Sequence, residues 1–252
     1  MALKDDGGLV KKYAMVNVQE YQLVAKIARE TDGSCAVIYR NNFSAIPLVD
    51  LLQRQGIDFY IRDQKSSFRN HAVVSDILNF FALSKDSSDL KAFSRIFYKT
   101  NAFLKRSLLQ DMDTSPLAAG ESWFDRISEK SDREYSSSRA HIVDLTIRGL
   151  YQMKPQRALD VIIESLGYRD YMEYSFGGSF VNQLQKLTAL RHLAGRCQSV
   201  EQLLDRLEEL DTLISEHSQN KACSLTLTTA HASKGLEFDT VILLDAVDDI
   251  FP

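Results

Sequence analysis

Two short apolar runs near the C-terminal end enclose a polar loop, and this arrangement constrains the fold more than any other part of the chain. The first run is Leu225–Leu227, the second is Val241–Asp245, and the loop between them is Thr228–Asp239. Apolar runs of this length on either side of a glycine-containing loop predict two strands. The loop combines hydroxyls, an imidazole, an amine and a carboxylate around Gly235, a mixture that suits a polyanion with sugar hydroxyls better than a hydrophobic core.

A second strand pattern lies in the first third of the chain. Cys35–Tyr39 is a continuous apolar run, which is typical of a strand covered on both faces. A short helix is predicted next, with Ser44 as its N-terminal cap and Gly56 at its end. Ile57–Ile61 then reads as a second strand. A strand–helix–strand unit with short connections predicts parallel strands and a right-handed crossover.

The middle of the chain, residues 86–219, shows only helical periodicity, because its apolar residues recur every three or four positions. An α/β pattern that stops, gives way to helices and then resumes predicts an inserted domain. We therefore expect an α/β fold with a partial parallel sheet and a large all-helical inserted subdomain. The predicted division is 1–85 for the first part of the sheet domain, 86–219 for the insert and 220–252 for the second part.

The composition excludes several classes of protein. The net charge of −4 over 252 residues argues against a strongly basic surface, although local patches decide nucleic-acid binding. The three cysteines are far apart and lack ligand spacing, so we predict neither a metal site nor a disulfide framework. No apolar run approaches the roughly 20 residues of a membrane span, and we expect a cytoplasmic protein without a membrane partner.

The loop near the C-terminal end resembles motif V of the UvrD/Rep-like superfamily 1 DNA helicases, in which the string TxHxxKGLEF is characteristic. Every fixed position of that string is matched here, by Thr229, His231, Lys234, Gly235, Leu236, Glu237 and Phe238. Upstream, Ala36–Asn42 resembles the AVLYRxN segment of the same family, and Asp248–Pro252 resembles its EEGxFP segment. The resemblance implies part of a RecA-like domain of the P-loop-NTPase type, called 2A, with a helical insert like the family's 2B subdomain.

Some positions depart from the family pattern. In the family, the RxN residues are often followed by Gln, Ser and Arg. In this chain they are followed by Phe43–Ile46. Further along, His71 and Val73 occupy positions where Arg and Glu are common. These departures indicate a divergent branch.

The resemblance implies DNA-binding roles for four residues. The family's motif V threonine and histidine lie along the path of single-stranded DNA, which assigns Thr229 and His231 to that path. Arg40 and Asn42 follow a predicted strand at its carboxyl end, where open α/β sheets bind ligands. An arginine there can hold a backbone phosphate, and an asparagine can bond a base or a sugar. The structural alternative is a solvated strand end and a loop histidine bonded to the backbone.

Roles at a nucleotide follow in the same way. The family's motif V glutamate reaches the ATP ribose, which assigns Glu237, and Gly235 would permit a close backbone approach. The alternative for Glu237 is a solvated charge. Lys234 has two equal interpretations, pairing with a phosphate or with a carboxylate inside the protein. We expect Leu236 and Phe238 to anchor the loop in the core.

The resemblance therefore implies a piece of an ATP-dependent DNA helicase or translocase that acts in repair or recombination. No GxxxxGK[ST] phosphate loop occurs, and the string ends before the family's arginine-bearing motif VI. We therefore expect no catalytic residue in this piece and no ATP hydrolysis by it alone.

The resemblance also implies cofactors and partners. The whole enzyme would use ATP and Mg²⁺, although we expect neither to be bound to this piece. Its partners would be single-stranded DNA and its junctions with duplex, the first RecA-like domain and repair or nuclease proteins, at a bacterial-type nucleoid. The alternative function is a non-catalytic DNA- or protein-binding module of a nuclease–helicase complex.

Overall fold

The computed structural model describes residues 18–62, 67–130, 134–219 and 222–244, so the predicted segment at Asp248–Pro252 lies outside the described residues. One parallel sheet is formed by the strands β1 (Cys35–Tyr39), β2 (Tyr60–Ile61), β3 (Leu225–Thr229) and β4 (Thr240–Leu243). The order across the sheet is β2-β3-β1-β4, which places the two most buried strands, β3 and β1, at its centre. The predicted α/β class with a partial parallel sheet is confirmed.

The rest of the described chain is mostly helical. Its α-helices are α1 (Val18–Glu30), α2 (Ile46–Arg54), α3 (Ala72–Lys85), α4 (Leu90–Ile96), α5 (Trp123–Ser128), α6 (Glu134–Gly149), α7 (Pro155–Asp160), α8 (Tyr168–Phe176), α9 (Phe180–Ala194) and α10 (Val200–His217). Short 3-10 turns lie at Phe68–Asn70, Phe97–Lys99, Arg106–Asp111, Leu150–Gln152 and Gly177–Ser179, and a π-helical turn lies at Val161–Ser165. The absence of described strands between residues 67 and 219 agrees with a helical middle section.

Helix α2 begins later than the sequence predicts. The Ser44 hydroxyl donates to Asn41 Oδ1 (3.1 Å) and leaves the helix uncapped, and the residue before the helix, Ala45, has a helical backbone and no side-chain cap. The prediction that Ser44 caps this helix was therefore wrong, because the Asn41 side chain takes the hydroxyl into a turn of its own.

The end of α2 agrees with the prediction. Gly56 adopts a left-handed backbone (φ +62°), and its N–H donates to Gln53 O (3.1 Å) while the N–H of Ile57 donates to Leu52 O (3.0 Å). This pair of bonds satisfies the last helical carbonyls and turns the chain towards the sheet. The strand that follows is shorter than predicted, because only Tyr60–Ile61 of the run Ile57–Ile61 pairs with β3.

A single hydrophobic core joins the sheet to the helices among the described residues. Every residue of α2 from Ile46 to Leu52 is buried, including the charged Asp50, so this helix is surrounded by protein. The predicted boundaries at residues 85/86 and 219/220 remain a prediction, and polar contacts join residues 1–85 to residues 86–219.

One such contact is an ion cluster around the fully buried carboxylate of Asp50. Arg206 of α10 approaches Asp50 Oδ1 through Nε at 2.7 Å, and Arg196 approaches Oδ2 at 3.2 Å. Arg54, one turn further along α2, places its Nε 3.1 Å from both carboxylate oxygens. The cluster therefore attaches the last helix of the predicted insert to the sheet domain.

A second buried contact centres on Asp76 of α3. Its Oδ1 pairs with Lys99 Nζ (2.6 Å), and its Oδ2 accepts from the Tyr168 hydroxyl (2.7 Å). The Lys99 ammonium also lies 5.4 Å and 5.3 Å from the ring centroids of Tyr98 and Tyr171. Burial, followed by the charge of Asp76, raises the pKa of Tyr168 far above its usual value, so this phenol stays a hydrogen-bond donor.

Candidate nucleic-acid interface

Two of the predicted DNA-binding turns lie side by side at the carboxyl edge of the sheet. Tyr39, the last residue of β1, is in register with Thr229, the last residue of β3, and the N–H of Ala230 donates to Tyr39 O (3.0 Å). Parallel strands end at the same edge of a sheet. The turn that carries Arg40 and Asn42 is therefore adjacent to the turn that carries Thr229 and His231.

The turn after β3 is closed by its own hydrogen bonds. Thr229 Oγ1 accepts from the N–H of Ala232 (3.2 Å), and Thr229 O accepts from the N–H of Ser233 (3.0 Å). Gly235 follows in a left-handed conformation (φ +79°), and a Cβ there would have open space around it. The left-handed backbone is therefore the reason why a glycine is favoured at this position, since a side chain would meet no neighbouring atom. The described residues leave space for a ligand around it.

The charged side chains of this loop point to solvent. His231, Lys234 and Glu237 are exposed, and none of these side chains makes a hydrogen bond or an ion pair with another described residue. Lys234 therefore forms no ion pair with a carboxylate of the described residues. For His231, the ring is not bonded to the described backbone.

Past Gly235 the loop runs back to the amino edge of the sheet. There Asp239 Oδ2 accepts from the N–H (2.8 Å) and the hydroxyl (2.6 Å) of Ser34, the residue before β1. Glu237 lies in the stretch between the two edges, so the structure does not bring it onto the edge that carries His231. Leu236 is 38% exposed, so the prediction that it anchors the loop in the core was wrong, whereas Phe238 is half-buried. The Ser34–Asp239 bonds hold the loop in place of the Leu236 anchor.

Replacing Ser34 with alanine should raise the pKa of Asp239. That pKa is lowered first by the Ser34 hydroxyl and then by the Ser34 N–H, which both favour the carboxylate. The contribution of these bonds to stability is present above the ordinary pKa of about 3.9 and is lost as the pH falls through the lowered value. A carboxyl-carbon NMR titration would measure the change. The pKa of Asp86, which is lowered by Ser88, is the internal control, and an unshifted Asp239 would contradict the prediction.

Two asparagines shape the turn after β1. Asn41 donates to Gln185 Oε1 on α9 (3.3 Å) and accepts from Ser44. The Oδ1 atom of Asn42 is buried and has no partner among the described residues, which is uncommon for a buried polar atom. Arg62 directly follows β2 at the same edge of the sheet. The carboxyl edge of the sheet therefore carries an arginine after β1 and another after β2, together with two asparagines.

Sequence reasoning missed Asn41, Arg62 and Gln185. Asn41 and Arg62 are polar residues directly after predicted strands, and that position was the available signal. Gln185 is separated from Asn41 by 144 residues, and no pattern in the chain links the two.

Other kinds of site are not found in the described residues. They contain no group of three or more side chains that could hold a metal ion. In the same part of the chain, no helix combines the length and the apolar character that a bilayer crossing requires.

A parallel sheet with polar turns at its carboxyl edge and a helical region inserted between β2 and β3 is the α/β architecture of a partial RecA-like domain with a helical insert. A family model for the UvrD-like helicase C-terminal domain matches residues 11–252, and the chain belongs to that family.

Individual relatives are distant and longer. The chain is 23% identical over 222 residues to YjcD of Bacillus subtilis, a match covering 86% of this chain and 28% of that protein. It is 20% identical to the ATP-dependent DNA helicase PcrA of Staphylococcus epidermidis, over 96% of this chain and 34% of PcrA. It is 22% identical to the ATP-dependent DNA helicase Rep of Buchnera aphidicola, over 86% of this chain and 36% of Rep. The chain thus spans about a third of the length of these relatives.

Proposed function

We propose that the full-length protein containing this chain is an ATP-dependent DNA helicase or translocase of the UvrD/Rep type, acting in DNA repair or recombination. Membership of the UvrD-like C-terminal family and the names of the PcrA and Rep relatives support this proposal. The structural observation that carries it is the register of Tyr39 with Thr229, because that register makes two polar turns into one continuous edge.

The proposed DNA grip consists of the four residues on these turns. The Arg40 guanidinium would hold a backbone phosphate, and the exposed His231 ring would contact the next part of the strand. Asn42, on the same turn, would contact a base or a sugar through its side-chain amide. The Thr229 hydroxyl accepts from the N–H of Ala232, and its O–H would donate to a phosphate oxygen.

The proposed nucleotide contact is separate from this grip. Glu237 is an exposed carboxylate in the stretch after the open, left-handed Gly235, and it would accept from the ribose hydroxyls of ATP. Lys234, which has no described carboxylate partner, would face phosphate. ATP with Mg²⁺ supplies the phosphoryl-transfer chemistry, and the residues of this chain bind and orient it. Because this piece has no phosphate loop, we propose that it does not hydrolyse ATP alone.

We further propose that residues 1–85 and 220–252 form domain 2A, that residues 86–219 form its 2B-like insert and that the protein acts in the cytoplasm at the nucleoid. The substrates would be single-stranded DNA and its junctions with duplex. The first RecA-like domain would close over the carboxyl edge, and repair or nuclease proteins are the expected further partners.

The test is DNA-stimulated ATP hydrolysis by the full-length protein. Replacing Glu237 with alanine should raise the KM for ATP about tenfold or more, because a hydrogen bond to a charged group contributes about 1.5–3 kcal/mol. Replacing His231 with alanine should instead raise the DNA concentration needed for half-maximal stimulation. Glu173→Ala and His141→Ala, at exposed positions of the helical region, are the matched controls.

Either of two results would contradict the assignment. Unchanged DNA-stimulated hydrolysis in both Glu237→Ala and His231→Ala would remove both residues from the site. A full-length protein that binds DNA without hydrolysing ATP would instead support the alternative, a non-catalytic binding module.

A further inference from the structure

Helix α9 of the helical region packs against the turn that follows β1. Gln185 accepts from Asn41 Nδ2 at 3.3 Å. The next residue, Lys186, places its Nζ 5.1 Å from the centroid of the Phe43 ring and donates to Gln183 Oε1 at 3.0 Å. A cation from the helical region is therefore held directly beside the proposed DNA grip.

Among the described residues, no carboxylate balances the charge of Lys186. Its described partners are the amide oxygen of Gln183 and the ring of Phe43, and no ion pair of Lys186 exists among the described residues. On the same Phe43 ring, His71 packs edge-to-face with a centroid distance of 5.8 Å. Burial lowers the pKa of Lys186, and burial followed by the charge of Lys186 lowers the pKa of His71. This is the pattern of a half-buried cation that lacks its counterion.

Most other buried or half-buried cations of the described chain differ in this respect. Lys99 is paired with Asp76, Arg206 with Asp50 and Arg126 with Glu121. Burying a cation without a carboxylate partner lowers the stability of the fold, unless a ligand supplies the anion. The position beside the turn of Arg40 identifies the kind of anion, because a polyanion crossing the carboxyl edge would pass that turn.

We infer that Lys186 binds a backbone phosphate of the same single strand, so that the DNA grip extends from the sheet edge onto helix α9. This inference rests on the proposed function, since it requires DNA at the turn of Arg40 and Asn42. A lysine ammonium suits the role because it binds phosphate as a point charge without fixed geometry. The cation–π contact with Phe43 keeps that charge next to the turn.

The experiment measures single-stranded DNA affinity of the full-length protein at several salt concentrations. Each phosphate contact on a single strand contributes about 0.7 to the slope of log K against log salt. Replacing Lys186 with glutamine should reduce the slope by about 0.7 and weaken binding about five- to tenfold at about 50 mM salt. Lys186→Arg, which keeps the charge, should retain the slope.

Lys91→Gln is the matched control, because Lys91 is an exposed lysine of α4 without a described ion pair. A Lys186→Gln protein that binds more weakly at an unchanged slope would show that Lys186 only supports the turn, and would overturn the inference. If Arg40→Ala reduces the slope while Lys186→Gln does not, Lys186 does not bind a phosphate. The inference is then overturned, and the proposed function stands. If neither variant changes the slope, the proposed phosphate contact of Arg40 fails, and the inference about Lys186 fails with it.

Discussion

Replacing Asp50 with alanine should lower the free energy of unfolding by about 3–5 kcal/mol, because the change removes the buried carboxylate of Arg206 and leaves that buried arginine with only the exposed Glu209 as an ion-pair partner. The carboxylate is fully buried and receives contacts from Arg54, Arg196 and Arg206. Arg206 is itself only 8% exposed, so water cannot replace the lost partner. Urea unfolding followed by circular dichroism would measure the loss.

The matched control is Asp160→Ala, which also removes an aspartate paired with an arginine. Asp160 lies 2.8 Å from Arg191, and both side chains are more than 40% exposed. Exposed ion pairs contribute about 1 kcal/mol or less, so the control should change the stability little. Similar losses for Asp50→Ala and Asp160→Ala would show that the cluster around Asp50 does not stabilise the fold in the way proposed.

Replacing Asp76 with alanine should have an effect of similar size, about 3–5 kcal/mol, because it leaves the Lys99 ammonium buried without a counterion. The rings of Tyr98 and Tyr171 beside that ammonium compensate only in part. Tyr168→Phe removes one hydrogen bond to Asp76 and leaves the ion pair intact, so its loss should be smaller, about 1–3 kcal/mol. Urea unfolding of the two variants would rank them.

A double variant separates buried charge from lost packing. Asp76→Leu with Lys99→Met leaves no uncompensated charge in the core, and it should be more stable than Asp76→Ala alone. If the double variant were less stable than Asp76→Ala, cavity formation rather than the unpaired lysine would explain the loss.

These two clusters limit any movement of the helical region relative to the sheet. Asp50 and Asp76 belong to the predicted first part of the sheet domain, and their partners Arg206 and Lys99 belong to the predicted insert. A rotation of the whole of 86–219 about hinges at its ends would have to break both buried clusters. We therefore expect a swivelling insert to cost several kcal/mol unless the moving part excludes these partners.

The sequence alone determined the local elements and the family. The largely apolar runs at Cys35–Tyr39 and Leu225–Leu227 predicted the two central strands, because short runs of this kind are typical of strands covered on both faces. The motif string around His231 predicted the family, since its fixed positions do not depend on the rest of the fold. The run Cys35–Tyr39 also placed Arg40 and Asn42 just after the carboxyl end of a strand, where the structure has them.

Only the tertiary structure decided which of these elements are neighbours. The order β2-β3-β1-β4 places β3 beside β1, although about 190 residues separate them, and the bond from Ser34 to Asp239 spans 205 residues. Periodicity reports which residues face an interior but not which polar residue will be enclosed there or what will neutralise it. For that reason no pattern in the sequence singled out Asp50 or Lys186. Their partners come from distant segments, and only folding brings those segments within the few ångströms over which a buried charge is balanced or left to a ligand.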